Sequence, residues 1–141
     1  MTTLAKTQTD RLFTDLGAEA ASTITGGFRF RVNWIKARDV NDRGGVDEPI
    51  LKLNGRRIWP RKGVIGMRAG QFRFIGRTFT LRSSPALSLF EYDNTRSGKR
   101  YDQIGRTIVT ALPVGNRKDF IKRYRFSGRG ASYTVSATFD F

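Results

Sequence analysis

From residue 28 onward the chain repeats with a period of two, and no other feature restricts its fold so sharply. Phe28, Phe30, Val32 and Trp34 alternate with Arg29, Arg31 and Asn33, and Tyr133, Val135, Ala137, Phe139 and Phe141 alternate at the C-terminus. Successive side chains of a strand point to opposite faces, so this spacing describes strands with one buried and one wetted face. Further runs at 49–53, 57–59, 71–81, 86–93, 107–112 and 120–126 are separated by Gly, Asn and Pro. Asn54-Gly55 between two of them is a hairpin-turn dipeptide. In 71–81, Phe72, Phe74, Phe79 and Leu81 form one apolar set if Gly76 permits a bulge or a phase shift. Seven or eight short strands in 141 residues, with 15 glycines to turn them, predict an all-β antiparallel sandwich or barrel.

Residues 1–25 read differently. Leu4, Leu12, Phe13 and Leu16 recur at mixed three- and four-residue steps, which predicts a short amphipathic helix over 9–21 with Thr9 as its N-cap. The expected organisation is therefore a helical N-terminal arm, 1–25, and one sandwich domain, 26–141. No run of about 18 apolar residues exists to span a bilayer as a helix. Residues 1–21 lack the basic start and apolar stretch of a secretory signal. The expected location is the cytoplasm, or a larger particle that carries the protein. The closing alternation also matches the last strand of an outer-membrane barrel, but arginines on the would-be lipid face count against that.

The chain contains no Cys and no His. That removes thiol nucleophiles, disulfides, imidazole bases and thiolate or imidazole zinc sites together. A metal would have to be a hard cation on oxygen ligands. With so few routes to chemistry, the chain is expected not to be an enzyme.

Lys and Arg number 26 against 12 acids, a net charge of +14. Such an excess points to an anionic partner: nucleic acid, lipid headgroups or an acidic protein face. Arg29, Arg31, Arg73, Arg123 and Arg125 sit between apolar neighbours in the expected strands, so period two turns them outward and the rings inward. Single-strand nucleic-acid binders usually expose rings beside their charges, so inward rings weigh against that partner.

The acids are distributed less evenly. Seven of the 12 fall in residues 39–48 and 91–102, both read as loops rich in Gly, Asn or Ser. Carboxylates gathered in this way either neutralise nearby arginines or prepare a hard-cation site. The sequence ARDVNDRGGVDEPILKL (37–53) resembles the first calcium loop and following strand of C2-type domains. LFEYDNTRSGKRYDQIG (89–105) resembles their third calcium loop, in the same order and at a similar separation. The resemblance covers 28 to the C-terminus and implies an eight-stranded antiparallel sandwich that holds calcium at one end. The ligands it implies are Asp42 and Asp47 from the first stretch, with Glu91, Asp93 and Asp102 from the second. It also implies a basic sheet face for acidic phospholipid headgroups. Departures are Glu48 and Ile50 around Pro49, Glu91 where the family has Asp, a longer later loop, and nearby Arg38, Arg43, Arg96, Lys99 and Arg100.

Three functions fit these features. The first is a non-catalytic C2-like binding or assembly module that docks on an anionic surface, with calcium as its only cofactor. The second is a structural subunit of a large assembly, such as a phage virion or contractile injection machine, and hence an oligomer. The third is a nucleic-acid-binding β module.

Overall fold

The structure, a computed structural model, describes residues 28–95, 98–110 and 119–140. The expected arm, 1–25, lies outside the described residues. Eight strands follow in order: β1 (Phe28–Asp39), β2 (Pro49–Leu53), β3 (Arg56–Trp59), β4 (Phe72–Leu81), β5 (Ala86–Thr95), β6 (Gly98–Ile108), β7 (Asp119–Gly128) and β8 (Ala131–Asp140). They form two four-stranded sheets, β4-β1-β8-β7 and β3-β2-β5-β6. Every pairing is antiparallel. This is the eight-stranded antiparallel sandwich expected from the sequence. Among the described residues no helix is long and apolar enough to cross a membrane.

The inner faces of both sheets meet in one hydrophobic cluster. Phe28, Phe30, Val32, Phe126, Tyr133, Val135 and Phe139 come from the first sheet, and Leu51, Leu53, Ile58, Leu87, Leu89 and Ile104 from the second. Rings dominate one end of it: Phe139 packs against Phe28 at 5.8 Å and Phe30 at 5.2 Å between centroids, and stacks on Phe120 at 4.8 Å. Each side chain of this kind contributes roughly 1.5–3 kcal/mol when removed from water. Sequence reading located this core, because β8 alternates without interruption.

Turn chemistry accounts for the hairpins. Asn54 and Gly55 both take positive φ, 51° and 79°, the left-handed pair required by a tight two-residue connection between β2 and β3. Arg129 and Gly130 repeat this geometry between β7 and β8, at 53° and 82°.

Two local readings are corrected. Residues 91–102 are not a loop: β5 runs to Thr95 and β6 starts at Gly98, well before residue 107, so most of this stretch is a hairpin stem. Pairing of Tyr92 with Tyr101 and Asp93 with Arg100 overrides the turn-forming composition, and the two tyrosine rings meet at 5.3 Å. The second correction concerns Trp34. Between one cross-sheet level and the next, β8 advances one residue (Ala137 to Ser136), β1 two (Val32 to Trp34) and β4 three (Arg77 to Phe74). The extra residue in β1 reverses its phase, so Ile35 and Ala37 turn inward and Trp34 turns outward. β4 keeps strict alternation through Gly76, with Phe79 and Leu81 against the core and Phe72 and Phe74 outside.

Candidate functional site

The acidic end is organised by Asp47. This residue is fully buried, and its backbone exchanges hydrogen bonds with Met67 at 3.0 and 2.8 Å. Its carboxylate accepts the backbone N–H groups of Asn41 and Asp42, each at 3.0 Å, and the Tyr133 hydroxyl at 2.8 Å. The β1–β2 connection is thereby wrapped around one carboxylate and anchored to β8. Hydrogen bonds to a charged group are worth roughly 1.5–3 kcal/mol each, enough to hold a short loop in one conformation.

Wrapping the loop in this way brings Asp42 to β5. Carboxylate oxygens of Asp42, Glu91 and Asp93 lie within 4.8 Å of one another. Glu91 is only 3% exposed, and its Oε1 has no hydrogen-bond partner. Burial, then the charges of Asp47 and Asp42, push the Glu91 carboxyl up to about 8. Asp42 and Glu48 are also raised, each first by burial and then in part by neighbouring carboxylates. Among the described residues, no guanidinium or ammonium forms an ion pair with Asp42, Glu91 or Asp93.

Three of the five expected ligands thus converge. Asp47 lies beside them with its carboxylate occupied by donors. Asp102 is the cross-strand neighbour of Glu91 on β6, but Arg129 of the β7–β8 turn pairs with its carboxylate at 3.3 Å. Calcium takes six to eight oxygens at about 2.3–2.6 Å, so oxygens on opposite sides of the ion lie about 5 Å apart. The spacing of Asp42, Glu91 and Asp93 meets that requirement, and the orphaned Glu91 oxygen is an acceptor that a cation would satisfy. The donor set fits a hard cation.

The other charged surface is the outer face of β4-β1-β8-β7. Arg29 and Arg31 on β1 and Arg123 and Arg125 on β7 are exposed there, with Lys36. Cross-strand register arranges this face in rows. Phe74, Trp34, Ser136 and Arg123 form one row, and Phe72, Lys36, Thr134 and Arg125 the next. The Arg123 guanidinium lies 5.9 Å over the Trp34 ring, and Phe72 packs on the same ring at 5.3 Å. Asn33 in the β1 bulge donates to the Thr138 hydroxyl at 2.8 Å, and Arg29 pairs with Asp140. A depression of about 280 Å³ lies between Arg29, Arg31, Thr78, Thr138 and Asp140.

Arg73 does not join this face. It pairs across from the buried Ile35, and its guanidinium reaches the Gly66 carbonyl at 3.4 Å. Arg77, on the same side of β4, donates to the Ile58 carbonyl of β3 at 2.6 Å. An edge strand tolerates such inward arginines because their long stems carry the charge out to the rim. Sequence reading missed Trp34, Phe72 and Phe74 as surface residues and Lys36 as their neighbour. At the acidic end it missed Tyr133 and Glu48. Strict alternation in 71–81 was the available signal for Phe72 and Phe74. A concavity of about 530 Å³ between β3 and β4 shares no residue with the acidic cluster or with the expected arginines.

A scan of protein-family models finds no match to the chain, and a search of curated proteins finds none. Among solved structures the chain is similar to one described as "Structure of a C2 domain", at 12% identity and a TM-score of 0.48, over 81% of this chain and 99% of the other.

Proposed function

We propose that this chain is a non-catalytic binding module that docks on an anionic partner through the outer face of β4-β1-β8-β7, with calcium completing its acidic end. One observation carries the docking role. Arg31, Lys36, Arg123 and Arg125 are exposed on a single four-stranded face, and none has an acidic partner among the described residues. Exposed guanidiniums keep their planar fork available for bidentate contacts to phosphate, sulfate or carboxylate. Spread over β1 and β7 with β8 between them, they match an extended partner better than a small ion.

Heparin, a polyanion without bases or acyl chains, is the first probe. Replacing Arg31, Arg123 and Arg125 together by Gln is expected to weaken heparin binding at least tenfold. Arg56→Gln with Arg57→Gln, on β3, and Arg61→Gln just beyond it removes three charges elsewhere and is expected to change binding far less. Equal losses from both variants would mean that net charge, and not this face, makes the contact.

At the other end, Asp42, Glu91 and Asp93 would hold calcium. When bound, the ion neutralises charge gathered between the β1–β2 connection and β5, and so stiffens that end. A ligand that binds only the folded state must stabilise it, by about 2.7 kcal/mol at a hundred times its Kd. Millimolar calcium is therefore expected to raise the melting temperature, and no change would remove calcium from the proposal.

A further inference from the structure

We infer that the anionic partner of the outer sheet face is a single-stranded nucleic acid, whose bases stack on Trp34, Phe72 and Phe74 while its phosphates meet the arginines. The inference rests on the docking role proposed for that face and adds the chemistry of the partner.

Charge alone does not explain what this face exposes. Phe74 is 67% exposed and Phe72 49%, on an edge strand beside Trp34. Ordinary folding places rings of this size in a core, and the chain has an apolar interior on the other side of the same sheet. Their outward position depends on two backbone features: the extra residue in β1 that turns Trp34 out, and the unbroken alternation of β4 through Gly76. Gly76 itself has φ of +64°, and a Cβ there would lie 2.6 Å from the Phe74 ring. The ring thus lies over a position that only glycine leaves open.

The arrangement of rings and charges then selects the partner. A second copy of this chain would bring another +14 against the first. A partner that is only anionic has no use for the rings. Single-stranded nucleic acid carries one phosphate and one flat π-face per unit. Proteins that bind it without sequence preference combine a basic track with aromatic platforms, at roughly 1–3 kcal/mol per stacked base. Rows on one face of a strand recur about every 6.8 Å, comparable to successive nucleotides of an extended strand. Phe74 and Trp34 with Arg123 form one such row, and Phe72 and Lys36 with Arg125 form the next. The depression between Arg29 and Arg31, with the Thr78 and Thr138 hydroxyls on its walls, continues the track toward the other end of the sheet. A duplex keeps its bases paired and stacked, and offers these rings nothing.

The test compares four probes on the full chain: a labelled oligothymidylate, a DNA duplex, heparin, and vesicles containing phosphatidylserine. The expected result is that the single strand binds more tightly than the duplex and quenches Trp34 fluorescence. Phe72→Ser with Phe74→Ser should then weaken the single strand about tenfold or more and leave heparin unchanged. Both phenylalanines are exposed, so the variant is expected to fold, and its melting temperature checks this. If the variant binds the single strand as wild type does, the inference is overturned and the docking role of the face survives. Vesicle binding lost in the variant, with no binding of the single strand, would also overturn it and assign the face to a membrane. Failure to bind any of the four probes would overturn both.

Discussion

At the acidic end, carboxylates crowd between the β1–β2 connection and β5, and Glu91 is withdrawn from water. Across the outer face of β4-β1-β8-β7 the cations stand in solvent along β1 and β7. The difference lies in what each arrangement costs the fold. Like charges brought together away from water raise one another's proton affinity and oppose the folded state until a proton or a cation neutralises them. Charges exposed to solvent are screened and cost little, so they remain available to a partner. The acidic end is therefore read out in stability, and the basic face in affinity and its dependence on salt.

The largest test of this contrast is Asp47→Ala. It removes the acceptor for two half-buried backbone N–H groups and for the buried Tyr133 hydroxyl. A loss of about 3 kcal/mol is expected in denaturant unfolding, since stranded buried donors carry most of the penalty. Heparin binding by the folded variant should stay as in wild type. A variant that unfolds at the wild-type denaturant concentration would show that Asp47 does not organise the loop.

Next comes pH. The Glu91 carboxyl is raised from its ordinary value of 4.5 to about 8, first by burial. Between those values the folded protein holds a proton that the unfolded chain releases. Stability from this group is therefore full below pH 4.5 and is lost as pH rises through 8. Calcium competes with that proton, so its stabilising effect should grow over the same range. Glu91→Gln is expected to flatten the difference on both counts in melting curves taken across pH. Parallel profiles for the variant and wild type would contradict this account of the acidic end.

The smallest effect is expected from Asp140→Asn, which releases Arg29 on the basic face. Exposed ion pairs contribute about 0–1 kcal/mol, so stability should hardly move. Affinity for heparin should rise slightly, because one more guanidinium becomes available. A large loss of stability would mean that this face resembles the acidic end more than it does here.

Much of this was legible before the fold was known. Unbroken alternation in β8, the Asn54-Gly55 turn and the two clusters of acids led to the eight-stranded sandwich and to five candidate acids, of which Asp42, Glu91 and Asp93 converge. What escaped has physical reasons. A one-residue bulge reverses the phase of everything after it, and nothing in the residues around Asn33 marks where that occurs. In 71–81 the expected phase shift at Gly76 put all four apolar residues inside and Arg73 outside, whereas β4 keeps its alternation because at the sheet edge Arg73 and Arg77 reach carbonyl partners. Composition marks 91–102 as a turn, whereas cross-strand pairs make most of it a strand. No local pattern tells which carboxylates donors occupy, because Arg129 on Asp102 and Tyr133 on Asp47 lie far away in sequence, and the Asn41 and Asp42 donors to Asp47 are backbone N–H groups.

The docking face is tested most directly by the salt dependence of heparin binding, measured for wild type and for the variant in which Arg31, Arg123 and Arg125 are Gln. Each cation that meets a polyanion releases counterions, so its removal lowers the slope of log affinity against log salt by roughly one. The account predicts a slope shallower by about three in the variant, with an unchanged melting temperature. Equal slopes for the two proteins would show that these arginines do not touch the polyanion, and would contradict the assignment of the face.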